Sequence, residues 1–417
     1  MSAAPPPGWR GAVFRALRLL TRPVRRAQGE DGLVLEPYRG YGSTTEVFLI
    51  GRAFRQSRPD GAGESGSLRV LLRDVRRRIT RRPIRGAGIT ARFGGSEAAV
   101  TADRDGYFRI HLHPRAVPPS RDGWHAVDLT LAADPPVQAR GQVFIPPPQC
   151  RCVVISDIDD TVMRTGVANK LKMLWRLFVA DAASRVAFPG AAALYRALHA
   201  GAAGDAANPM LYVSRAPWGI YEMLTEFFRQ HAIPEGPVLF LREWGLSWRH
   251  PLPRRAEDHK RDLIGHMLGL YADLPFVLIG DSGQHDPEVY ARIVADHPGR
   301  VVAVYIRNVS RDAARIREIE RLAVSVTAAR SSLVLAADSV AMAEHAAGLG
   351  LIAPEAVAAV AAERLTADGA GPAGEIAGPA LERVPGERLR DVLDGAPEPP
   401  NVVIEPEGRS PRVGPGT

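Results

Sequence analysis

Val153-Val154-Ile155-Ser156-Asp157-Ile158-Asp159-Asp160-Thr161 is the stretch on which the reading of this chain turns. An uninterrupted apolar run is the mark of a strand buried on both faces, and in parallel sheets ligands gather at the carboxyl ends of such strands. Three carboxylates within four residues repel one another and lose hydration, which is costly unless a cation or a proton is supplied. A hard divalent ion meets that need: Mg²⁺ takes one or two carboxylates, keeps several waters and also binds phosphate oxygens. Standing alone, Asp-Asp-Thr would read as well as an acidic turn capping a helix. The strand ends downstream argue for the first reading.

From about residue 150, apolar runs alternate with helical stretches. The runs are Val153–Ile155, Met210–Val213, Val238–Leu241, Phe276–Ile279 and Val301–Ile306; the helical stretches are Lys170–Val179, Gly219–His231, Asp258–Tyr271 and Pro287–Asp296. That alternation predicts an α/β domain, a parallel sheet covered on both faces. Met210–Val213 ends at Ser214 as a helix opens, where a hydroxyl and free N–H groups form an anion site, although alone it is an ordinary N-cap. Phe276–Ile279 ends at Gly280-Asp281-Ser282-Gly283-Gln284-His285-Asp286, two more carboxylates beside glycines that let the backbone approach a ligand. Only three of the 53 basic residues are lysines, Lys170, Lys172 and Lys260. Lys260 falls in the first turn of a helical stretch, where it opposes the macrodipole; neutralising carboxylates and a phosphate gives it a purpose.

Asp157-x-Asp159-x-Thr161, Ser214, Lys260 and Gly280-Asp281 with Asp286 resemble, in order, the four motifs of the haloacid dehalogenase-like hydrolases. The finer wording resembles one branch, the actin-patch-protein phosphatidate phosphatases: Asp157–Thr161, Thr165-Gly166-Val167, Phe188-Pro189-Gly190, Ser214 with Pro217, Gly280–Glu288 and Tyr305-Ile306-Arg307. The resemblance covers about Cys150 to Arg311 and departs from the branch at Arg215-Ala216, where an Asn-Ser-like pair is expected. It implies a Rossmann-like, Mg²⁺-dependent phosphatase. Asp157 would be the nucleophile, forming an aspartyl-phosphate, and Asp159 the acid and base. Asp157, the Asp159 backbone carbonyl and Asp281 would hold Mg²⁺, with Asp286 as a further ligand or one step removed. Thr161, Ser214 and Lys260 would bind the phosphoryl oxygens. Asp160 receives no role.

The 417 residues suggest two or three domains, and no apolar run is long enough to cross a bilayer. Residues 1–30 read as a basic amphipathic helix that either lies on an anionic membrane surface or docks on its own domain. Residues 33–148 carry short runs broken by turn residues, Glu46–Ile50, Leu68–Leu72, Ile89–Phe93, Tyr107–Leu112, Val127–Leu131 and Gln142–Ile145, the pattern of an antiparallel β-sandwich. Ala98–Leu112 resembles the hairpin of transthyretin-like modules, with Asp105-Gly106 as its turn. Nine arginines between Arg69 and Arg92 could meet anionic lipid or simply lie in a solvated loop. Residues 150–311 form the expected phosphatase domain, 312–365 an Ala-rich helical segment and 366–417 a disordered tail. Leu171, Leu174, Trp175, Phe178 and Val179 make an apolar stripe, either a small lid or an ordinary packed helix.

A net charge of +7 attracts anions of any kind. The arginines lack aromatic stacking platforms or a recognition motif, so nucleic acid is not expected. Cys150 and Cys152 are too close for an ordinary disulfide and fit a reducing compartment. The chain is therefore expected in the cytoplasm, with peripheral contact at the inner membrane surface. The expected activity is hydrolysis of a lipid phosphomonoester, phosphatidate to diacylglycerol. The rival readings are the same chemistry on a soluble phosphomonoester or phosphoprotein, and a non-catalytic membrane- or protein-binding module.

Overall fold

The computed structural model describes residues 32–56, 81–158, 190–214, 218, 221–240, 256–310, 312–368, 382–383 and 402–404. The N-terminal segment 1–30, the apolar stripe at 171–179, the run at 68–72 and most of 366–417 lie outside the described residues. Two compact units emerge, one holding residues up to Pro147 together with Gly219–Phe227, the other holding most of the chain from Pro148 onward.

In the N-terminal unit nine strands form one connected set: β1 Leu33–Pro37, β2 Gly40–Gly42, β3 Val47–Arg55, β4 Arg82–Pro83, β5 Gly88–Phe93, β6 Ser96–Thr101, β7 Tyr107–Leu112, β8 Trp124–Leu131 and β9 Val137–Phe144. Antiparallel ladders run β1-β3-β7 on one side and β6-β5-β8-β9 on the other, and β2 joins them by pairing with both β3 and β9. Side chains alternate between buried and exposed along β7 and β8, as they must when one face meets a core and the other meets water. Leu49, Phe108, Ile110, Val127 and Leu129 are among the residues of that core.

The structure corrects one local reading. The turn at Asp105-Gly106 forms, with Asp103 Oδ1 accepting from the N–H groups of Asp105 and Tyr107 at 2.9 Å each and Gly106 at φ 80°. Yet β6 and β7 on either side of it share no ladder: β6 pairs with β5 and β7 with β3. The hairpin lies one turn earlier, where Phe93 pairs with Ser96 across Gly94-Gly95, both at positive φ. That is the two-residue turn whose backbone twist suits flanking strands.

The C-terminal unit is built on an eight-stranded sheet in the order β12-β11-β10-β13-β14-β15-β17-β16. Its strands are β10 Val153–Asp157, β11 Met210–Ser214, β12 Val238–Phe240, β13 Phe276–Asp281, β14 Val301–Arg307, β15 Ser332–Ala336, β16 Glu382–Arg383 and β17 Val402–Ile404. The six from β12 to β15 are mutually parallel, and β17 runs antiparallel to β15. Helices follow in chain order: α1 Ala191–Ala200, α2 Tyr221–Gln230, whose residues up to Phe227 group with the N-terminal unit, α3 Ala256–Leu270, α4 Asp286–Asp296, α5 Ala313–Ala328, α6 Ser339–Gly348 and α7 Ala356–Asp368. Chain connections leave β10 toward β11 in one direction and pass from β13 toward β14 in the other. Right-handed crossovers therefore put the connecting helices on opposite faces, and α4 does contact both α3 and α5 while α1, α6 and α7 form a separate group. Every residue of β10, β11 and β13 is buried, which explains why these strands read as continuous apolar runs.

The Ala-rich stretch after residue 311 is not wholly helical. Ser332–Ala336 is a buried strand in register with Ala303–Arg307, so the sheet extends past the point where the sequence suggested it ended. Among the described residues no helix is long and apolar enough to cross a membrane.

Candidate active site

The strand order reverses at β10, whose neighbours β11 and β13 leave in opposite directions along the chain. A crevice opens at such a switch point, outside the carboxyl ends of the strands. Asp157 ends β10, Asp281 ends β13 and Asp286 opens α4. One carboxylate oxygen from each lies within 4.8 Å of the other two.

Lys260, on α3, reaches into this group. Its Nζ donates to Asp157 Oδ2 at 2.5 Å and to Asp286 Oδ1, with the lysine side chain 1% exposed. Burial works against the ammonium, but Asp286 and Asp157 outweigh it and hold the lysine above its ordinary pKa. The Asp286 carboxyl moves the opposite way from what one lysine partner would produce. Burial pushes it up to about 7, Lys260 resists and Asp157 adds to the rise. The two directions agree once charges are counted: one ammonium faces three acids, so the lysine is held protonated while the acids stay short of compensation.

That imbalance has a consequence for metal-free protein. In the unfolded chain Asp286 ionises near its ordinary 3.8, whereas folded it keeps its proton to about 7. Between those values the folded state binds more protons, so stability falls as pH rises across that window. Chelator-treated protein should require less urea to unfold at pH 7.5 than at pH 5, and Asp286→Asn should flatten the difference; an equal slope in both proteins would refute it.

The loop carrying Asp281 and Asp286 is pinned from several sides. Asp281 Oδ1 accepts from the N–H groups of Gly283 at 2.7 Å and Gln284 at 3.0 Å. Gly280 has no room for a side chain, because a Cβ there would sit 2.7 Å from Asp286 Cβ and collide with its carboxylate. Ser282 Oγ accepts from the N–H groups of Val309 and Ser310 at 2.9 and 3.1 Å. Arg315, from α5, donates through Nε to Ser282 O at 3.0 Å and through Nη2 to Gln284 O at 2.6 Å, while its guanidinium also grips Glu288. A fork of five fixed donors suits this work in a way a lysine would not. Arg315→Ala is expected to loosen the loop and speed amide hydrogen exchange at Gly283 and Gln284 by about tenfold or more; unchanged exchange would show that the loop holds itself.

The sequence-derived site residues are placed as follows. Asp157, Lys260, Asp281 and Asp286 form one contiguous group. Ser214 is buried at the end of β11, one residue beyond Val213, the ladder partner of Asp157. Asp159 and Thr161 lie outside the described residues, as does Arg215-Ala216. Sequence reasoning passed over Arg307, Asp338, Ser339 and Tyr195, which line a small cleft with Asp157 and Asp281. Arg307 ends β14, and its position at a strand end is the signal the sequence offers. Asp338 caps α6 through the N–H groups of Val340 and Ala341 and pairs with Arg364 at 2.5 Å. Tyr195 OH lies 2.8 Å from Ser156 Oγ and ties α1 to the strand bearing Asp157. The two cysteines are free and buried, with burial pushing the Cys150 thiol up to about 12.

Comparison with known proteins finds likenesses for this segment. Residues 152–308 match the family described as the phosphatidate phosphatase APP1 catalytic domain. In particular, the chain is 32% identical over 155 residues to phosphatidate phosphatase APP1 of Saccharomyces cerevisiae, covering 37% of this chain and 25% of that protein. An uncharacterized protein of Schizosaccharomyces pombe is 27% identical over 159 residues, covering 38% of this chain and 25% of its own length. The chain thus spans about a quarter of the curated relatives it matches. Among solved structures, a carbohydrate acetylesterase from Xanthomonas citri covers 73% of this chain and 74% of its own at 10% identity and a TM-score of 0.23, too low to carry anything further.

Proposed function

We propose that the C-terminal unit is a Rossmann-like, haloacid dehalogenase-type phosphatase, dependent on Mg²⁺, that hydrolyses phosphatidate to diacylglycerol through an aspartyl-phosphate. The observation that carries this reading is the meeting of Asp157, Asp281, Asp286 and Lys260 at the switch point of the sheet. The lipid substrate is supported by the name of the family and of the yeast relative.

The donor set fits a hard divalent ion. Three carboxylates, once ionised, outnumber the one ammonium in a buried place, and all the donors are oxygens, the ligands Mg²⁺ prefers. Asp157, Asp281 and Asp286 would hold it, and the chemistry it supplies when bound is neutralisation of charge on the phosphoryl oxygens. The chain's own residues do the rest. Asp157 attacks phosphorus and takes the phosphoryl group, splitting one difficult hydrolysis into two steps. Lys260, fixed between Asp157 and Asp286, orients the nucleophile and presents its charge to the same oxygens without reorganisation during the reaction. Asp159 gives a proton to the departing alkoxide and takes one from the water that clears the acyl phosphate. Thr161 and Ser214 donate to the phosphoryl oxygens.

Phosphate release from phosphatidate in mixed micelles, with and without Mg²⁺ and beside a soluble aryl phosphate, tests the reading. Mg²⁺-dependent release that follows the surface concentration of lipid supports it. Release from the soluble ester alone would keep the chemistry and discard the lipid, and silence on both would discard the phosphatase.

A further inference from the structure

Far along the sequence from the acidic centre, the N-terminal unit gathers a different set of donors. His111 lies in β7, His113 follows two residues later, and Glu46 immediately precedes β3. Side chains two apart on an extended chain rise from the same face. The ladder pairs Val47 with Leu112 and Phe48 with His111, which puts Glu46 across from His113 on that same face. One ring nitrogen of each histidine and a carboxylate oxygen of Glu46 all lie within 4.8 Å of one another.

The group is held, not merely crowded. His111 Nε2 is 3.0 Å from Glu46 Oε2, and the Phe48 ring stacks on the His111 ring at 4.3 Å and 14°. His113 Nδ1 lies 3.3 Å from Thr45 O, and the two imidazoles are 4.5 Å apart. A surface ion pair would explain His111 beside Glu46. It gives no reason for a second imidazole on the same few ångströms.

We infer that Glu46, His111 and His113 bind a divalent transition ion of the Zn²⁺ class. Two imidazoles and a carboxylate are a donor set that suits Zn²⁺, whereas Mg²⁺ is held through oxygens. Three protein ligands leave a fourth position open to water or to a donor from a partner. Because Glu46 leads into β3 while His111 and His113 lie in β7 and just past its end, the ion closes a clip at the end of that ladder and favours the folded state by mass action. The inference is independent of the phosphatase reading.

Zn²⁺ titration of the full, tag-free chain by calorimetry, in excess Mg²⁺ to occupy oxygen sites, tests it against three variants. His111→Ala/His113→Ala should bind at this site at least about tenfold more weakly and lose the Zn²⁺-induced rise in Tm. His113→Ala alone leaves the His111–Glu46 contact in place, so a comparable loss there separates a metal site from an ion pair. Asp281→Asn should keep the binding. The histidines are exposed, and equal metal-free Tm values verify that the variants fold. Zn²⁺ affinity unchanged in both histidine variants, or lost only with Asp281→Asn, would overturn the inference.

Discussion

Asp157→Asn is expected to lower phosphate release by about 10⁴-fold or more, the scale on which removal of a covalent nucleophile acts. The substitution exchanges one oxygen for an amide nitrogen of nearly the same size, so packing at the end of β10 is undisturbed. What changes is chemistry: an amide cannot take up a phosphoryl group, and the proposed two-step route would close. The fold should survive, for a physical reason specific to this site. Three acids share one ammonium in a buried group, so removing one negative charge relieves repulsion as well as weakening a hydrogen bond, and the remaining amide oxygen still accepts from Lys260. Tm should therefore stay within a few degrees of wild type, on the order of 1 kcal/mol. The decisive measurement is single-turnover phosphate release from micellar phosphatidate beside a melt of the same sample. Wild-type release from a folded Asp157→Asn chain would remove Asp157 from the reaction.

Legibility in the sequence followed burial. Val153–Ile155 and Phe276–Ile279 could be read as strands because both faces of β10 and β13 are covered and every position is apolar until the polar end. The same pattern marks Asp157 and Asp281 as strand-end residues. Lys260 stood out by chemistry, as an ammonium where arginine is the habit of the chain. Ser332–Ala336 went unread because its short Ser-Leu-Val-Leu-Ala run sits between Ala-rich helices, and nothing in five residues separates a buried strand from a buried helical turn. The hairpin was misplaced because Asp105-Gly106 and Gly94-Gly95 are both turn signals, and only the ladder partners tell which of them reverses a paired strand. Arg315 was invisible for a different reason. It acts through backbone carbonyls of a loop about thirty residues away, a relation that spacing alone does not encode.

Lys260→Met should show the largest effect on stability. Methionine matches the length of the lysine stem and fills the space beside Tyr290, whose ring lies 5.6 Å from the ammonium. It supplies no charge, and Asp157 and Asp286 are left facing each other with side chains 3% and 1% exposed. Breaking a buried pair in this way costs about 3–5 kcal/mol, because the surviving charge keeps its desolvation penalty and loses its compensation. Two conditions should restore part of the loss. On the proposed reading, saturating Mg²⁺ would bind the folded acids and add about 2.7 kcal/mol at a hundredfold excess over Kd. Acid does the same by another route: without the ammonium that resists it, the Asp286 carboxyl rises further above its ordinary value, so lowering the pH protonates it and removes the repulsion. Urea unfolding of chelator-treated wild type and variant at pH 8 and pH 5, with and without Mg²⁺, reads all three effects. Equal unfolding free energies at pH 8 without metal would mean that the lysine is not the counterion of this site, and with it would go the account of how three acids remain buried together.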